Sequence, residues 1–161
     1  MTVAAAPPGV SQPMRETLPR LVAAGLAGGA VDLAYATGMA LSRGNPPTHP
    51  WRTVASGWIG AAARDGTAPV VLGVVTHFGI AMCMAAAYLY LARRIPVVGS
   101  RPWATAPIYG LILYAVMYLG VLPLRFGNPW RWSGVNSLLD ILAHVGVALA
   151  VVVFATRGRP Q

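Results

Sequence analysis

The sequence contains no lysine and very few acidic side chains. Its 161 residues include 12 arginines against four Asp or Glu residues, and charged residues make up only 10% of the chain. Soluble domains carry about 25% charged residues. Hydrophobic residues account for 56% of this chain, and its mean hydropathy is +0.59. This composition excludes a soluble globular domain and indicates a membrane protein whose main partner is the lipid bilayer.

The net charge of +8 does not indicate nucleic-acid binding. A nucleic-acid-binding protein carries its basic residues on one face of a soluble fold. Most arginines here lie between apolar runs, which is typical of loops that face anionic lipid headgroups. We therefore predict no nucleic-acid partner, and the sequence leaves open whether the protein forms a homo-oligomer or has a membrane partner.

Cysteine is nearly absent too. Cys83 is the only one, and it lies inside an apolar run, so no intrachain disulfide and no cysteine-based metal site can form. Enzyme motifs are also missing, since the chain has no glycine-rich phosphate loop and no nucleophile elbow. We predict that the protein is not an enzyme.

Four long apolar runs dominate the rest of the chain, at about 18–41, 69–92, 103–124 and 134–155. A membrane-spanning helix needs about 20 mainly apolar residues, and all four runs qualify. A cleaved signal peptide is an alternative for the first run, because Arg15 and Arg20 precede it. Asp32 within the run, and the length of the run, favour a retained helix. The sequence predicts an all-α integral membrane bundle of four transmembrane helices.

The domain organisation follows from these runs. Residues 1–16, rich in Ala and Pro, are predicted to be a disordered cytoplasmic tail, 17–156 the transmembrane domain and 157–161 a second tail. With four spans, seven arginines fall on the side of both chain ends and five on the other. The positive-inside rule then places the N and C termini in the cytoplasm.

The connection between the first two spans is predicted to contain a short helix over about 51–63. Apolar residues recur there at helical spacing, among them Trp51, Val54 and Trp58. One interpretation is a helix in the membrane interface with its Trp rings at headgroup depth. The alternative is a segment packed directly on the bundle.

Polar side chains interrupt the spans at one depth. At about 1.5 Å per residue, Asp32 lies about 17 Å and His77 about 18 Å from the cytoplasmic edge. Tyr114 and His144 also fall near the midplane, with Asp140 one turn from His144. Small residues share the faces of Asp32 and His77 and allow close helix packing: Gly25, Gly28, Gly29 and Gly73. These polar groups are predicted to face one another inside the bundle, because facing lipid would be costly.

Four interpretations of this midplane cluster remain open. It can be a structural latch that sets the helix register. It can be a proton-responsive site of a proton-linked small transporter or pH sensor, since histidine titrates near neutral pH. His77 and His144 can be the axial ligands of a b-type haem. The same histidines, with Asp140 and Asp32, can hold a metal ion, although no metal-binding motif is present.

The series "AGLAGGAVDLAYA", "LGVVTHFGIAMCMAAAYL", "IYGLILYAVMYLGVLPLR" and "HVGVALA" resembles a group of uncharacterised four-span bacterial inner-membrane proteins, the YagU-like group. The likeness covers roughly residues 18–150. The positions that carry it are Asp32, His77, Tyr109, Gly110, Tyr114, Met117, Pro123, Leu124 and His144. The resemblance implies a small integral protein of the bacterial inner membrane and no particular activity.

Overall fold

The computed structural model describes the backbone of residues 12–127 and 129–156 and the side chains from residue 17 onward. Residues 1–11 of the predicted N-terminal tail and the predicted tail at 157–161 lie outside this range. Within the described residues, all regular secondary structure is helical. Its elements are α1 (Gln12–Ser42), α2 (His49–Ile59), a 3-10 helix (Gly60–Arg64), α3 (Ala68–Arg94), α4 (Pro96–Ser100), α5 (Pro102–Ala115), a π-helical segment (Val116–Val121), α6 (Leu122–Phe126) and α7 (Val135–Thr156).

Four stretches of helix are long and apolar enough to cross a membrane: Thr17–Ser42, Ala68–Arg94, Pro102–Phe126 and Val135–Thr156. They confirm the predicted all-α bundle of four transmembrane helices. The third of them is continuous through α5, the π segment and α6. We call the side of the bundle where α1 ends and α7 begins the α2 face, and the opposite side, where α7 ends, the terminal face.

α1 begins at Gln12, so residues 12–16 are helical where the sequence analysis placed them in a disordered tail. The physical reason lies in Pro13. The first turn of a helix has backbone N–H groups without partners in the helix, so proline is well tolerated there. An Ala- and Pro-rich composition therefore did not prevent the helix from starting early.

The four spans pack in a simple order. α7 packs against both α1 and α5, and α1 packs against α3 on its other side. Glycines make the contacts of α1 close. A Cβ atom on Gly28 would lie 2.8 Å from Val151 Cγ2, and one on Gly29 would lie 2.7 Å from the Phe78 ring. Gly25 faces Met82 in the same way. The helices approach closely because these side chains are missing.

α3 and α5 contact each other near the terminal face. There the Tyr109 hydroxyl donates a hydrogen bond to the Met84 carbonyl at 2.6 Å, and the rings of Tyr88 and Tyr109 lie 5.4 Å apart. Toward the α2 face, one cavity is lined by α2, α3 and the π segment together.

The short helix predicted at about 51–63 is present as α2 and the 3-10 helix that follows it. It packs along α3, and a Cβ atom on Gly73 would clash with the Trp51 carbonyl group. The Trp58 indole N–H donates to the Thr76 hydroxyl, eight residues into α3. The Trp51 ring is buried, at 6% exposure, whereas the Trp58 ring is 70% exposed. The predicted short helix is therefore present and packs on the bundle through Trp51, while the Trp58 ring remains exposed.

The π segment has a cause in the sequence. Pro123 has no N–H to donate to the Leu119 carbonyl, and its ring would clash with that carbonyl in a regular α-helix. Widening the preceding turn relieves the clash, and the Leu122 N–H bonds to the Met117 carbonyl five residues back. π segments frequently occur at functional sites. Here the widened turn contributes Met117 and Tyr118 to the cavity described next.

Candidate functional site

A polar cavity of about 520 Å³ lies among the α2-face ends of α1, α2, the π segment and α7. Its rim holds the exposed residues Arg43, His49 and Asn136, so the cavity opens at the α2 face. Asp32, Asp140 and His144 also line it, and Met39, Met117 and Leu122 contribute apolar surface. A smaller chamber of about 110 Å³ continues inward and shares Asp32 and His144 with the outer cavity. The deep chamber ends at His77, Ala81, Met84 and Val147.

Asp32 and His77 lie side by side in the deep chamber, with 3.6 Å between Asp32 Oδ2 and His77 Nδ1. His77 Nε2 is 2.9 Å from the Gly29 carbonyl oxygen. A carbonyl oxygen can only accept a hydrogen bond, so Nε2 must carry a hydrogen and donate it. In the neutral ring Nδ1 is then without a hydrogen and presents a lone pair to Asp32.

The local sequence explains how His77 reaches the backbone of α1. Gly29 leaves room for α3 to approach, since a side chain there would meet Phe78 and Ala81. The His77 ring is also held by edge contacts to Trp51, at 5.1 Å between ring centres, and Phe78, at 5.3 Å. His77 is 8% exposed. Its ring is therefore held on both sides, and Asp32, with its side chain 33% exposed, is the less enclosed member of the pair.

Asp140 joins α7 to α1 across the outer cavity. The Tyr35 hydroxyl donates to Asp140 Oδ1 at 2.6 Å, and the Tyr118 hydroxyl faces the same carboxylate. One turn further along α7, His144 Nδ1 lies 2.8 Å from the Asp140 backbone carbonyl and must donate to it. The neutral His144 ring therefore carries its lone pair on Nε2. The two histidines are held as opposite tautomers, and each presents one bare nitrogen.

Tyr114 lies next to this site and outside both cavities. Its hydroxyl accepts a hydrogen bond from the Trp130 indole N–H at 2.9 Å. Its ring stacks on Tyr118 at 4.5 Å and meets the edge of His144 at 5.7 Å. The structure thus brings Asp32, His77, Asp140 and His144 around one connected space, and places Tyr114 behind it as support for Tyr118 and His144.

Several residues of the site escaped the sequence analysis as site residues. Tyr35, which donates to Asp140, follows Asp32 by three residues, a spacing that puts both on one face of α1. Tyr118 follows Tyr114 by four residues, which was a usable signal for a shared helix face. No residue spacing identifies Trp51 or Met117 as site residues. Trp51 reaches the site because α2 packs against the bundle, and Met117 because the helix widens into the π segment; both depend on tertiary packing.

The histidines do not fit an axial pair for haem. His77 Nε2 donates to the Gly29 carbonyl, and the bare Nδ1 has Asp32 Oδ2 only 3.6 Å away, which leaves no space for an iron atom and its macrocycle beside this ring. Within the described part of the chain, no group of three or more His, Cys, Asp or Glu side chains is arranged to hold a metal ion. The chemistry that the site supports is that of proton binding and hydrogen bonding.

Comparison of the chain with protein-family models, with curated proteins and with solved structures finds no match.

Proposed function

We propose that this multi-pass membrane protein belongs to the bacterial inner membrane and that its Asp32–His77 pair holds one exchangeable proton, as part of a proton-linked small transporter. The observation that carries the proposal is the tautomer of His77. Nε2–H is committed to the Gly29 carbonyl, so Nδ1 faces Asp32 as a bare acceptor. An ionised carboxylate also offers only lone pairs. The two groups attract each other only when one proton is bound to either of them.

Loss of that proton changes the balance of forces in the deep chamber. Two lone pairs would then face each other at 3.6 Å, and Asp32, the more exposed member, would be driven toward the outer cavity. Protonation is thereby coupled to the position of a side chain. This coupling is the element that a proton-linked transporter or a pH-responsive protein needs.

The surroundings determine which other charges act on this pair. The groups lining the same connected space are Tyr35 and Arg43 from α1, His49 from α2, Tyr118 from the π segment, and Asp140 and His144 from α7. Water can reach the pair from the α2 face through the outer cavity. On the terminal side, Ala81, Met84 and Val147 close the chamber. Access from one side only is what one state of an alternating-access transporter requires.

The proposal is tested by following Trp51, whose ring touches His77, during a pH titration of the detergent-purified protein. The signal is the difference in fluorescence between the native chain and a Trp51→Phe variant. We expect a one-proton step in this signal, and its loss in Asp32→Asn. Asp65→Asn is the matched control, because Asp65 is exposed and outside the cavity. A step that persists unchanged in Asp32→Asn would refute the proposal; a structural latch predicts lower thermal stability in that variant with no titration step in either protein.

The orientation is part of the proposal. Seven arginines on the side of the chain ends against five on the α2 face support cytoplasmic termini and a cavity open to the outside. The resemblance to the YagU-like group supports the inner membrane as the location. A C-terminal fluorescent-protein fusion should be bright and a C-terminal alkaline phosphatase fusion inactive. The reverse pattern would invert the orientation.

A further inference from the structure

We propose that the outer cavity binds a small alkylammonium ion through Asp32, Asp140 and His144. This inference rests on the proposed function, because it names the class of solute that the proton-linked site takes. It is carried by the hydrogen-bonding character of the inner wall of the cavity, which offers acceptors and few donors.

The inner wall of the cavity carries two acidic side chains. Asp32 receives no hydrogen bond from the described residues, and the bare Nδ1 of His77 lies 3.6 Å from its Oδ2. Asp140 receives the Tyr35 hydroxyl on Oδ1 and also faces the Tyr118 hydroxyl, which leaves about two of its roughly four acceptor positions open. The wall therefore holds two carboxylates, from a chain whose whole sequence has four acidic residues.

His144 supplies an observation independent of the acids. Its side chain is 9% exposed, and its Nδ1–H is used within α7. Its Nε2 carries the lone pair and has no hydrogen-bond partner among the described residues, while the residue lines both the outer cavity and the deep chamber. This lone pair is therefore open to the cavity and can accept a hydrogen bond from a donor bound there.

Charge and shape select the type of donor. Among the described residues that line the cavity, Arg43 is the one arginine, and it is exposed at the rim, so the positive end of a solute would point inward to the carboxylates. Met39, Met117 and Leu122 then enclose an alkyl group. A primary ammonium ion has three N–H donors and can serve Asp32, Asp140 and His144 together. A carboxylate solute would bring further acceptors to a wall that already has too many.

The test is isothermal titration calorimetry on the full chain in detergent, with three probes at equal ionic strength. Butylammonium has both charge and N–H donors, tetramethylammonium has charge without donors, and pentanoate has the same butyl chain with the opposite charge. We expect saturable binding of butylammonium and at least tenfold weaker binding of the other two. Equal binding of tetramethylammonium, or no saturable binding of butylammonium, would overturn the inference.

Variants locate the binding. Asp140→Asn should weaken butylammonium at least tenfold, while Asp65→Asn should bind it like the native chain. If Asp140→Asn does not fold, Met39→Trp is the second variant. Its larger side chain should fill the cavity and abolish binding while both acidic residues are kept. Undiminished binding in the folded variant would overturn the inference. The Trp51 titration separates this result from the proposed function: a normal titration step without butylammonium binding refutes the solute class alone, and a missing step with Asp140-dependent binding refutes the proton site alone.

Discussion

The half of the bundle nearer the terminal face is close-packed and apolar, whereas the half nearer the α2 face surrounds a polar cavity. In the first, which we call the packed half, Ala24, Ala148 and Val152 are completely buried. In the second, the open half, Asp32 and Asp140 remain partly exposed. The same four spans build both halves, so the difference arises from what separates the helices along their length.

Two features of the chain produce the difference. In the packed half, small residues allow direct contact between α1 and α7, and Tyr109 ties α5 to α3. In the open half, α2, α3 and the π segment line one largely apolar cavity, and a second cavity, among α1, α2, the π segment and α7, is lined by Asp32, Asp140 and other polar groups. The close-packed contacts therefore lie in one half of the bundle, and the cavity that a solute can enter lies in the other half.

The largest effect that should distinguish the halves comes from adding a single methyl group. A Cβ atom on Gly110, in the packed half, would lie 2.6 Å from Val145 Cα and 2.8 Å from the His144 carbonyl oxygen. These are backbone atoms, so α5 and α7 must move apart, and Gly110→Ala should destabilise the protein by about 2 kcal/mol or more. Unfolding by denaturing detergent in mixed micelles measures the free energy.

Gly38→Ala is the matched control in the open half. No atom lies within 4 Å of a Cβ added there, and α1 is helical on both sides of it. Alanine favours the helix over glycine, so the variant should be as stable as the native chain or more stable by up to about 1 kcal/mol. Equal destabilisation by the two substitutions would mean that the halves do not differ in packing.

A smaller effect should come from removing one hydroxyl group in each half. Tyr109→Phe removes the bond to the Met84 carbonyl where little water can replace it, and should lower stability by about 1 kcal/mol. Tyr35→Phe removes the bond to Asp140 at a cavity open to water, and should lower stability by less than about 0.5 kcal/mol. The same unfolding assay measures both variants. A larger loss in Tyr35→Phe would show that the outer cavity is not hydrated.

The spans were readable from the sequence because length and hydropathy determine them locally. α3, predicted over about 69–92, runs from Ala68 to Arg94, and α7, predicted over about 134–155, runs from Val135 to Thr156. Counting residues along the helices also placed Asp32 and His77 at one depth, and they lie side by side in the structure. Depth along a helix is a local quantity, so a sequence can predict it.

The features that could not be predicted from the sequence depend on contacts between segments that are distant in the chain. The inward position of Trp51 requires the gap at Gly73, 22 residues later in the chain. The tautomers of His77 and His144 depend on which carbonyl each ring reaches, and no residue pattern specifies that. The start of α1 at Gln12 was missed because composition describes a segment's average and does not locate a helix end.

The space left by Gly73 also determines when α2 can pack against α3 during biosynthesis. α2 has 11 residues, too few to cross a bilayer, and it leaves the ribosome before α3, the helix on which it packs. The Trp51 carbonyl can take its place only after Gly73 has been made and inserted. Asp140 and His144 arrive later still, on the last of the four spans. The Asp32–His77 pair can therefore form in a nascent chain before the other half of the cavity wall exists.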